Sequence, residues 1–560
     1  MSQLIINARR ELRDIILSAL SRAVSDGEIS SEPIPDFTVS IPQNKSFGDY
    51  ATNAAMVASK ALKKNPRELA EIIISKLSLD GTSFENASIA GPGFINFTLA
   101  DRFWADTLND VLKKGSEYGK SKPVKDKKVL LEFVSANPTG PMHIGNARGG
   151  ALGDCLASVM DFAGYSVSRE FYVNDAGNQI DKFALSLATR YMQIFDPTMP
   201  FPEEGYQGED IKALAMEFAD KHGDIYKSDF DLLLKDIVDF ALPKNIAALK
   251  SDLLEYRIEY DRWFCESEIH ENGELAETIE LLKSKNLTYE KDGALWYKAT
   301  DHGGEKDEVL IRANGNSTYF AADIAYHRNK FLRGFDLCIN VWGADHHGHV
   351  ARMKGAMEAL GFDPNALEIA LMQMVRLVRN GETVRVSKRT GKSITLKTLL
   401  EEVPVDAARF LFNLRESGTQ FDFDLELAVQ KSNENPVYYV QYAHARICSI
   451  IRNLKTEGIV LGERSSKQLM LLNAPEEREL IRFISIFTDE IISAAKEYEP
   501  SKITRYLVDL ATHFHKFYSA CRVKGEEQDL AEARLSLCSA TKITLANAMK
   551  ILNINAPEQM

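Results

Sequence analysis

Two short segments of this chain combine residue types that suit phosphate chemistry. The first is Glu132–Gly150, EFVSANPTGPMHIGNARGG, a Pro- and Gly-rich loop that leads into His143, Gly145 and Asn146. An imidazole followed by a bare glycine backbone lets both groups approach one anion, and helix N-termini favour phosphate. The segment has neither the Walker A spacing nor GxGxxG. Taken alone, it is equally well interpreted as a glycine-rich turn in which His143 is only a cap.

The second segment, Arg385–Lys392, carries four cations in eight residues, RVSKRTGK. Cations placed where charge develops on a leaving pyrophosphate lower the barrier to nucleotidyl transfer. Ser387 and Lys388 give this segment the groups that a triphosphate needs. A solvated basic loop is the alternative for so short a run.

A third pair, Tyr319 and Asp323, lies four residues apart in STYFAADIAYHRNKF. At that spacing the two side chains share one helical face. A buried carboxylate there selects a guanidinium through a bidentate ion pair, which distinguishes arginine from lysine. The alternative is that Asp323 merely caps the start of a helix.

Asp345 precedes three histidines in WGADHHGH. A metal cluster is one interpretation of His346, His347 and His349. Adjacent histidines point apart in most conformations, however, so contact with a nucleotide or substrate is favoured. The sequence therefore predicts no metal site.

A parallel sheet is needed to position these segments. Val129–Val134 is an apolar run of strand length, Ile144–Ala163 reads as a helix stopped by Gly164, and Val167–Val173 is the next strand. This order predicts a parallel sheet with right-handed crossovers, and ligands bind such folds at the carboxyl edge of the sheet. Further strands are predicted at Val309–Ile311, Ser317–Phe320, Leu337–Val341 and Ala370–Met374, with helices at Ile324–Phe331 and His349–Leu360.

The chain is predicted to divide into three parts. Residues 1–118 read as an α+β unit, with helices at Gln3–Ser25, from Tyr50 to Lys63, and from Pro66 after an Asn65 cap. Residues 119–431 form an α/β part, with the charged helical stretch 197–295 as an insertion and the cationic loop at 385–392. Residues 432–560 form an all-α bundle, with later helices at Glu476–Lys496, Ser501–Cys521 and Asp529–Leu552.

The composition restricts the class of protein but does not indicate a particular function. A chain of 560 residues is too long for one core, and its net charge of −13 opposes an unselective nucleic-acid binder. Local basic patches still permit RNA binding. Six cysteines without a CxxC pair, no secretory signal and no apolar run of about 20 residues predict a cytoplasmic protein without a membrane segment.

Several segments resemble one enzyme family. His143-Ile144-Gly145-Asn146 resembles the HIGH signature of class I aminoacyl-tRNA synthetases, and its flanks resemble the arginine-specific branch. The cationic loop resembles the KMSKS motif, with Arg385 at the first Lys and Lys388 at the second, about 240 residues later. Arg385 and Asn146 depart from the family pattern, but both keep hydrogen-bonding capacity. The resemblance runs in order through the whole chain.

The resemblance implies an arginine–tRNA ligase with a Rossmann-like catalytic domain. ATP, accompanied by Mg²⁺, is attacked at its α-phosphate by the arginine carboxylate, and the arginyl-adenylate then acylates the 3′-terminal adenosine of tRNA(Arg). His143, Asn146, Arg385 and Lys388 are implied in catalysis; His143, Gly145, Asn146, Ser387 and Lys388 in ATP binding; and Glu132, Asn137, Tyr319, Asp323 and Asp345 in arginine binding.

The resemblance also implies how tRNA is held. Ser46–Ala55, SFGDYATNAA, resembles the family domain that meets the tRNA elbow, whereas Tyr518 and Met560 are implied at the anticodon. A monomer is expected. Two alternatives stay open: a class I synthetase for another amino acid, such as cysteine or glutamine, and a non-catalytic tRNA-binding relative.

Overall fold

The N-terminal part of the protein is an antiparallel sheet backed by helices. The computed structural model describes residues 3–40, 42, 47–121, 127–384, 394–462 and 464–560. The first elements are α1 (Gln3–Ser25), β1 (Val39–Ser40), β2 (Tyr50–Thr52), α2 (Ala54–Leu62), α3 (Pro66–Ser75), β3 (Phe84–Ala90), β4 (Phe94–Leu99) and α4 (Asp101–Lys114). The strands run in the order β1-β2-β4-β3.

Local signals predicted most of these elements. α1 has the predicted bounds, and the Asn65 side chain accepts a hydrogen bond from the Arg67 N–H at 2.9 Å, capping α3. The helix predicted from Tyr50 begins only at Ala54. Tyr50 instead pairs with Phe97 of β4, because the sheet recruits this apolar stretch as β2.

The central part alternates strands and helices. Its first half comprises β5 (Lys128–Glu132), α5 (Ile144–Ala163), β6 (Ser166–Val173), α6 (Asn178–Phe195), α7 (Glu209–His222), α8 (Phe230–Glu255), β7 (Arg262–Cys265), α9 (Glu266–Glu271) and α10 (Glu274–Ser284). Its second half comprises β8 (Thr288–Lys291), β9 (Ala294–Tyr297), β10 (Glu308–Ile311), α11 (Tyr319–Leu332), β11 (Leu337–Gly343), α12 (His347–Leu360), β12 (Leu367–Met372), β13 (Val375–Arg379), β14 (Glu382–Thr383), α13 (Leu396–Glu402), α14 (Val405–Phe412), β15 (Phe421–Asp424) and α15 (Leu425–Val429).

Five parallel strands form the main sheet, in the order β12-β11-β5-β6-β7. The chain runs outward from β5 through β6 to β7, then returns to the other side of β5 for β11 and β12. This order confirms the predicted Rossmann-like fold, and it leaves a crevice at the carboxyl ends of β5 and β11. The sheet thus sets the position of the site.

Helix α5 packs closely on this sheet because it is rich in glycine. A Cβ at Gly153 would lie 2.2 Å from a ring carbon of Phe133, and one at Gly150 would lie 2.8 Å from Ile258. α5 has the predicted bounds and ends at Gly164 in a left-handed conformation, φ 98°. The close approach brings the start of α5 to the edge of the sheet.

Two predictions for the central part were wrong, and a third was right about the strand but not about its sheet. Arg262–Cys265, inside the stretch read as an insertion, is β7 of the main sheet. Ser317–Phe320 is not a strand: only Ser317 bridges to Ile311, and α11 begins at Tyr319. The strand predicted at Val309–Ile311 exists, but it belongs to a separate antiparallel sheet of β10, β9 and β8.

The C-terminal part is wholly helical in its described residues, as predicted. It comprises α16 (Pro436–Thr456), α17 (Ser466–Leu469), α18 (Pro475–Ser485), α19 (Phe487–Glu497), α20 (Ser501–Ala520) and α21 (Gln528–Ile551). Val437, Val440 and Ile447 on one face of α16 are buried in the bundle core. The single helix predicted over Glu476–Lys496 is two helices that meet at Ile486.

The structure bears on the expectations for the cysteines and for membrane segments. All six cysteines are free, and all except the half-buried Cys265 are buried. Within the described ranges, the structure contains no helix with the length and apolarity needed to cross a membrane.

Candidate active site

A cleft of about 530 Å³ opens at the carboxyl ends of β5, β11 and β12. The sequence-predicted residues that line it are Asn137, His143, Gly145, Asn146 and Asp345. Its position between β5 and β11 is the switch point where sheets of this order bind ligands. Residues far apart in sequence therefore share one concave surface.

His143 is both the cap of α5 and a wall of the cleft. Its Nδ1 accepts a hydrogen bond from the Gly145 N–H at 3.0 Å, while the Asn146 Oδ1 accepts one from the His143 N–H at 3.0 Å. Burial lowers the pKa of His143, so the ring is neutral at neutral pH. Since Nδ1 accepts, the ring proton sits on Nε2, which can donate to a ligand.

Gly145 is required by this arrangement. A Cβ there would lie 2.8 Å from Cε1 of His143, so any side chain would displace the ring. The Gly145 N–H is donated to that ring rather than left free, which corrects the expectation that this amide is open to phosphate. The α5 dipole and the Nε2 proton still favour an anion at this position.

The loop after β5 is strained where it borders the cleft. Val134 and Ser135 have φ angles of 67° and 42°, although neither is a glycine. Ser135 donates its N–H to the Phe133 carbonyl at 3.0 Å. Such conformations cost about 1–3 kcal/mol each and cluster at ligand sites. The Ser135 hydroxyl accepts from the Tyr172 N–H at 3.1 Å, which holds the loop in place.

The cationic segment is bracketed by described residues. Arg385, Ser387 and Lys388 lie outside the residues that the structure describes. Before the segment, the Val384 N–H donates to Leu377 of β13 at 2.9 Å. After it, Thr395 forms a backbone bridge with His143. The chain therefore resumes beside the cleft after the cations.

Tyr319 and Asp323 share the first turns of α11. Thr318 caps this helix, its hydroxyl accepting from the Ala321 N–H at 3.4 Å, so Asp323 is not the cap. Asp323 Oδ2 lies 3.1 Å from His349 Nε2. Its side chain is 35% exposed, so the expectation of a buried carboxylate was wrong, and the group is open to a ligand.

Glu266 is an acidic neighbour that the sequence did not reveal. It is the first residue of α9, directly after β7, and it is 4% exposed. The Tyr172 hydroxyl donates to its Oε2 at 2.8 Å. Burial, reinforced by the charge of Asp323, raises the pKa of Glu266. Recognising β7 as a sheet strand would have placed this carboxylate at the carboxyl edge.

Glu132 does not line the cleft. It is the last residue of β5 and 7% exposed, with Oε2 accepting from Lys330 Nζ at 2.5 Å and Oε1 from the Ser135 hydroxyl at 2.9 Å. Both carboxylate oxygens thus have partners within the protein. The structure places Glu132 behind the strained loop, not on the cleft wall as expected for a direct substrate contact.

The acidic cluster of Asp323 and Glu266 adjoins the cleft. Burial is the largest cause that raises the pKa of Tyr319, followed by electrostatic interaction with Glu266 and then with Tyr206, a residue that lines the cleft. On the other side, the Trp342 ring lies 6.2 Å from that of His346, which lines the cleft, and 5.3 Å from that of His349. The pair of Asp323 and His349 therefore lies next to the part of the cleft wall that carries His346.

The histidines after β11 do not form a metal cluster. His349 contacts Asp323, whereas His347 Nδ1 lies 3.2 Å from the Ala344 carbonyl oxygen. Over the described ranges, no group of three or more His, Cys, Asp or Glu side chains is arranged to hold a metal ion.

The two residues expected at the anticodon border α16. The guanidinium carbon of Arg446 lies 4.5 Å from the centre of the Tyr518 ring, so one face of this ring is occupied by a cation. Met560 is 53% exposed. The tail that carries it is anchored, because the Pro557 carbonyl oxygen lies 2.8 Å from His444 Nδ1.

Comparison with known proteins accords with this geometry. Three family models match in order: the arginyl tRNA synthetase N terminal domain over residues 10–99, the catalytic domain of class I (R) tRNA synthetases over 107–447, and the DALR anticodon binding domain over 440–560. The central model defines a class I aminoacyl-tRNA synthetase catalytic domain. It spans more than half of the chain.

Full-length relatives show which family of class I aminoacyl-tRNA synthetases the chain resembles. The chain is 54% identical to the arginine–tRNA ligase of Ruminiclostridium cellulolyticum over 99% of both chains, and 54% identical to that of Caldanaerobacter subterraneus over 100% of both. The arginyl-tRNA synthetase structure from Thermus thermophilus shares the fold, with a TM-score of 0.72 at 24% identity over 99% of this chain and 100% of that one. The chain belongs to the arginyl-tRNA synthetase family.

Proposed function

We propose that this protein activates arginine with ATP and transfers it to its cognate tRNA. The observation that carries the proposal is the acidic cluster of Asp323 and Glu266 beside a cleft at the sheet's switch point. A cleft walled by His143 and the start of α5 suits an anion, and the cluster next to it suits a cation. Arginine and ATP supply these two charges.

ATP occupies the cleft in this proposal, with Mg²⁺ bound to the nucleotide as part of the substrate. His143 donates its Nε2 proton to the phosphates, and Asn146 holds the His143 backbone through the 3.0 Å bond. Gly145 keeps the ring in place. Arg385, Ser387 and Lys388 are assigned to the departing pyrophosphate from the sequence motif alone.

Arginine lies across the boundary between cleft and cluster. Its guanidinium pairs with Asp323 and Glu266, and the Tyr319 hydroxyl lies beside them. Asn137 and Asp345, which line the cleft, hold the amino and carboxylate end. Glu132 acts from behind the loop through Ser135 instead of touching the substrate.

The chemistry needs no covalent enzyme intermediate. The arginine carboxylate oxygen attacks the α-phosphorus of ATP, the bond to pyrophosphate breaks, and arginyl-adenylate forms. The 2′-hydroxyl of the terminal adenosine then attacks the arginyl carbonyl and releases AMP. Holding both reactants in line and stabilising the leaving charge supply the acceleration. Side chains held in fixed positions at the edge of a rigid sheet can orient the reactants and stabilise this charge.

The tRNA spans the chain in this proposal. Residues 1–118 meet its elbow, residues 119–431 its acceptor end, and residues 432–560 its anticodon, with Tyr518 and Met560 near the bases. One chain provides the whole cleft, so a monomer is sufficient for activity. We further propose that the protein works in the cytoplasm, where tRNA is charged.

Aminoacylation of total tRNA with each of the twenty amino acids tests the proposal. Only arginine should be incorporated. Asp323→Asn removes the charge without changing the shape, and it should raise the KM for arginine about 100-fold, in the range measured for lost charge pairs. Asp301→Asn, at an exposed carboxylate outside the cluster, is the matched control and should leave KM unchanged. Charging of another amino acid, or a normal KM in Asp323→Asn, would refute the proposal.

A further inference from the structure

A lysine is buried completely behind the proposed arginine site. Lys330, on α11, is 0% exposed. Its ammonium donates to Glu132 Oε2 at 2.5 Å and to Asn340 Oδ1 at 2.7 Å, and it lies 4.3 Å from the centre of the Tyr326 ring. A buried ammonium loses its hydration, so each of these contacts compensates a real cost.

The two acceptors of Lys330 belong to the two strands that border the crevice. Glu132 is the last residue of β5, and Asn340 is its direct partner in the register of β11. The loops that follow these strands carry the walls of the cleft, including Asn137 and Asp345. Lys330 therefore links β5 to β11 near the carboxyl ends of these strands, where the crevice opens.

The same network reaches the residue that selects the guanidinium. Asn340 Nδ2 lies 2.7 Å from His327 Nε2, and His327 Nδ1 lies 2.8 Å from the backbone oxygen of Asp323. Burial and the nearby Lys330 charge lower the pKa of His327 well below its ordinary value, so the ring is neutral. A neutral ring satisfies both contacts only if Nδ1 donates to Asp323 and Nε2 accepts from Asn340.

We propose that Lys330 is a positioning residue for arginine binding, acting through Asn340 and His327 on Asp323 and through Glu132 on the loop at Ser135. The Lys330 ammonium can only donate and the Asp323 carbonyl can only accept, so with a neutral His327 ring the direction of every bond between them is fixed. Asp323, His327 and Lys330 also lie on one face of α11, at spacings of four and three residues. The proposal rests on the proposed function, since it concerns the same substrate.

Stability alone does not account for this network. Buried ion pairs are weak contributors to stability, and apolar replacements of similar volume are often as stable. The Lys330–Glu132 ion pair links α11 to β5, and the amide of Asn340 and the imidazole of His327 extend this network to Asp323. Such a network fixes the relative positions of these side chains. The geometry it fixes is that of the guanidinium pocket, not of the phosphate-binding wall at His143.

The test compares two substitutions with a matched control at the end of the helix that carries Lys330. Asn340→Leu breaks the link between Lys330 and His327 without leaving a net charge, and Lys330→Met removes the ammonium. Arg333→Met is the control: Arg333, which directly follows the end of α11, pairs with the fully buried Glu170 of β6 at 2.5 and 2.8 Å. Its bonds to Glu170 do not involve Glu132, Asn340 or His327.

Steady-state aminoacylation is measured with arginine and ATP varied in turn, alongside denaturant unfolding. We expect Asn340→Leu and Lys330→Met to raise the KM for arginine about tenfold, or about 1.4 kcal/mol, and to change the KM for ATP by less than about twofold. Arg333→Met should lose stability but keep both KM values. If the KM for arginine stays normal in Asn340→Leu, or if both KM values rise together, the inference is overturned.

These outcomes are separate from the proposed function. The wild-type protein is assayed in parallel, and its failure to charge tRNA with arginine would refute the proposed function itself. Normal arginine charging by the wild type, with no selective change in the variants, would refute only the role of Lys330. Asn340→Leu keeps the test decisive even if Lys330→Met, which leaves the buried Glu132 carboxylate without its cation, does not fold.

Discussion

Thr395 forms a backbone bridge with His143, and the neighbouring Leu396 N–H donates to the Met142 carbonyl at 2.9 Å. The chain that follows the cationic segment is thus joined to the start of α5, although the two lie about 250 residues apart in sequence. The bridge gives His143 a fixed backbone position against which its ring is oriented.

His143→Asn separates the two roles of this residue. Asparagine is a good helix cap, so unfolding free energy should change by less than about 1 kcal/mol. The imidazole donor is lost, however, and kcat should fall about 10²- to 10³-fold, as for the loss of one preorganised donor. The rate is measured at saturating arginine, ATP and tRNA. Full activity in a stable His143→Asn variant would show that the residue is only a cap.

The acid side of the pH profile should depend on Glu266. Burial raises the pKa of Glu266 in the free protein, so it becomes protonated at a higher pH than an ordinary glutamate as the pH falls. A protonated Glu266 cannot pair with the guanidinium, and kcat/KM for arginine, which reports the free enzyme, should decline there. Glu266→Gln should lower kcat/KM and remove this acid limb.

The same pKa shift affects the stability of the protein in the opposite direction. Because the folded state holds the Glu266 proton more tightly than the unfolded state, the contribution of Glu266 to the free energy of unfolding decreases as the pH rises from the unfolded-state pKa to the folded-state pKa. Glu266→Gln should therefore flatten the dependence of unfolding free energy on pH across that window. An unchanged acid limb, with an unchanged stability profile, would contradict the assignment.

Two glycines of α5 should respond oppositely to alanine. Gly153→Ala drives a Cβ to within 2.2 Å of the Phe133 ring, and this overpacking should cost about 1–3 kcal/mol of unfolding free energy. Gly149→Ala meets only Met372, at an ordinary 3.6 Å, and should be neutral or stabilise the protein by up to about 1 kcal/mol. Urea unfolding of both variants provides the comparison. Equal effects would mean that α5 does not pack as closely as described.

Met560→Ala should affect tRNA and no other substrate. Loss of an exposed apolar contact with a base should raise the KM for tRNA about five- to tenfold, which corresponds to about 1–1.4 kcal/mol. The KM values for ATP and arginine should not change. Met216→Ala, on α7, removes a side chain of similar exposure, 58%, and serves as the control. An equal effect of both variants would refute a specific role for the C-terminal residue.

The sequence alone determined those features that depend on neighbours along the chain. α5 was predicted from Ile144 to Ala163 because its composition and the stop at Gly164 are local signals. A cap at His143, which was the alternative interpretation of that segment, the parallel character of the sheet and the helical C-terminal part followed in the same way. The motifs also carried the resemblance, since the residue types and their order identify the chemistry before any contact is known.

Tertiary structure decided the rest, because packing brings together residues that no local pattern connects. Arg262–Cys265 is a strand only because it pairs with β6, and that pairing places Glu266 at the carboxyl edge of the sheet. Lys330 meets Glu132 only through the pairing of β5 with β11. The sequence predicted a buried carboxylate at Asp323, but the side chain is partly exposed because it lies beside the cleft. Long-range strand order, which the linear pattern does not encode, thus set the shape of the proposed arginine site.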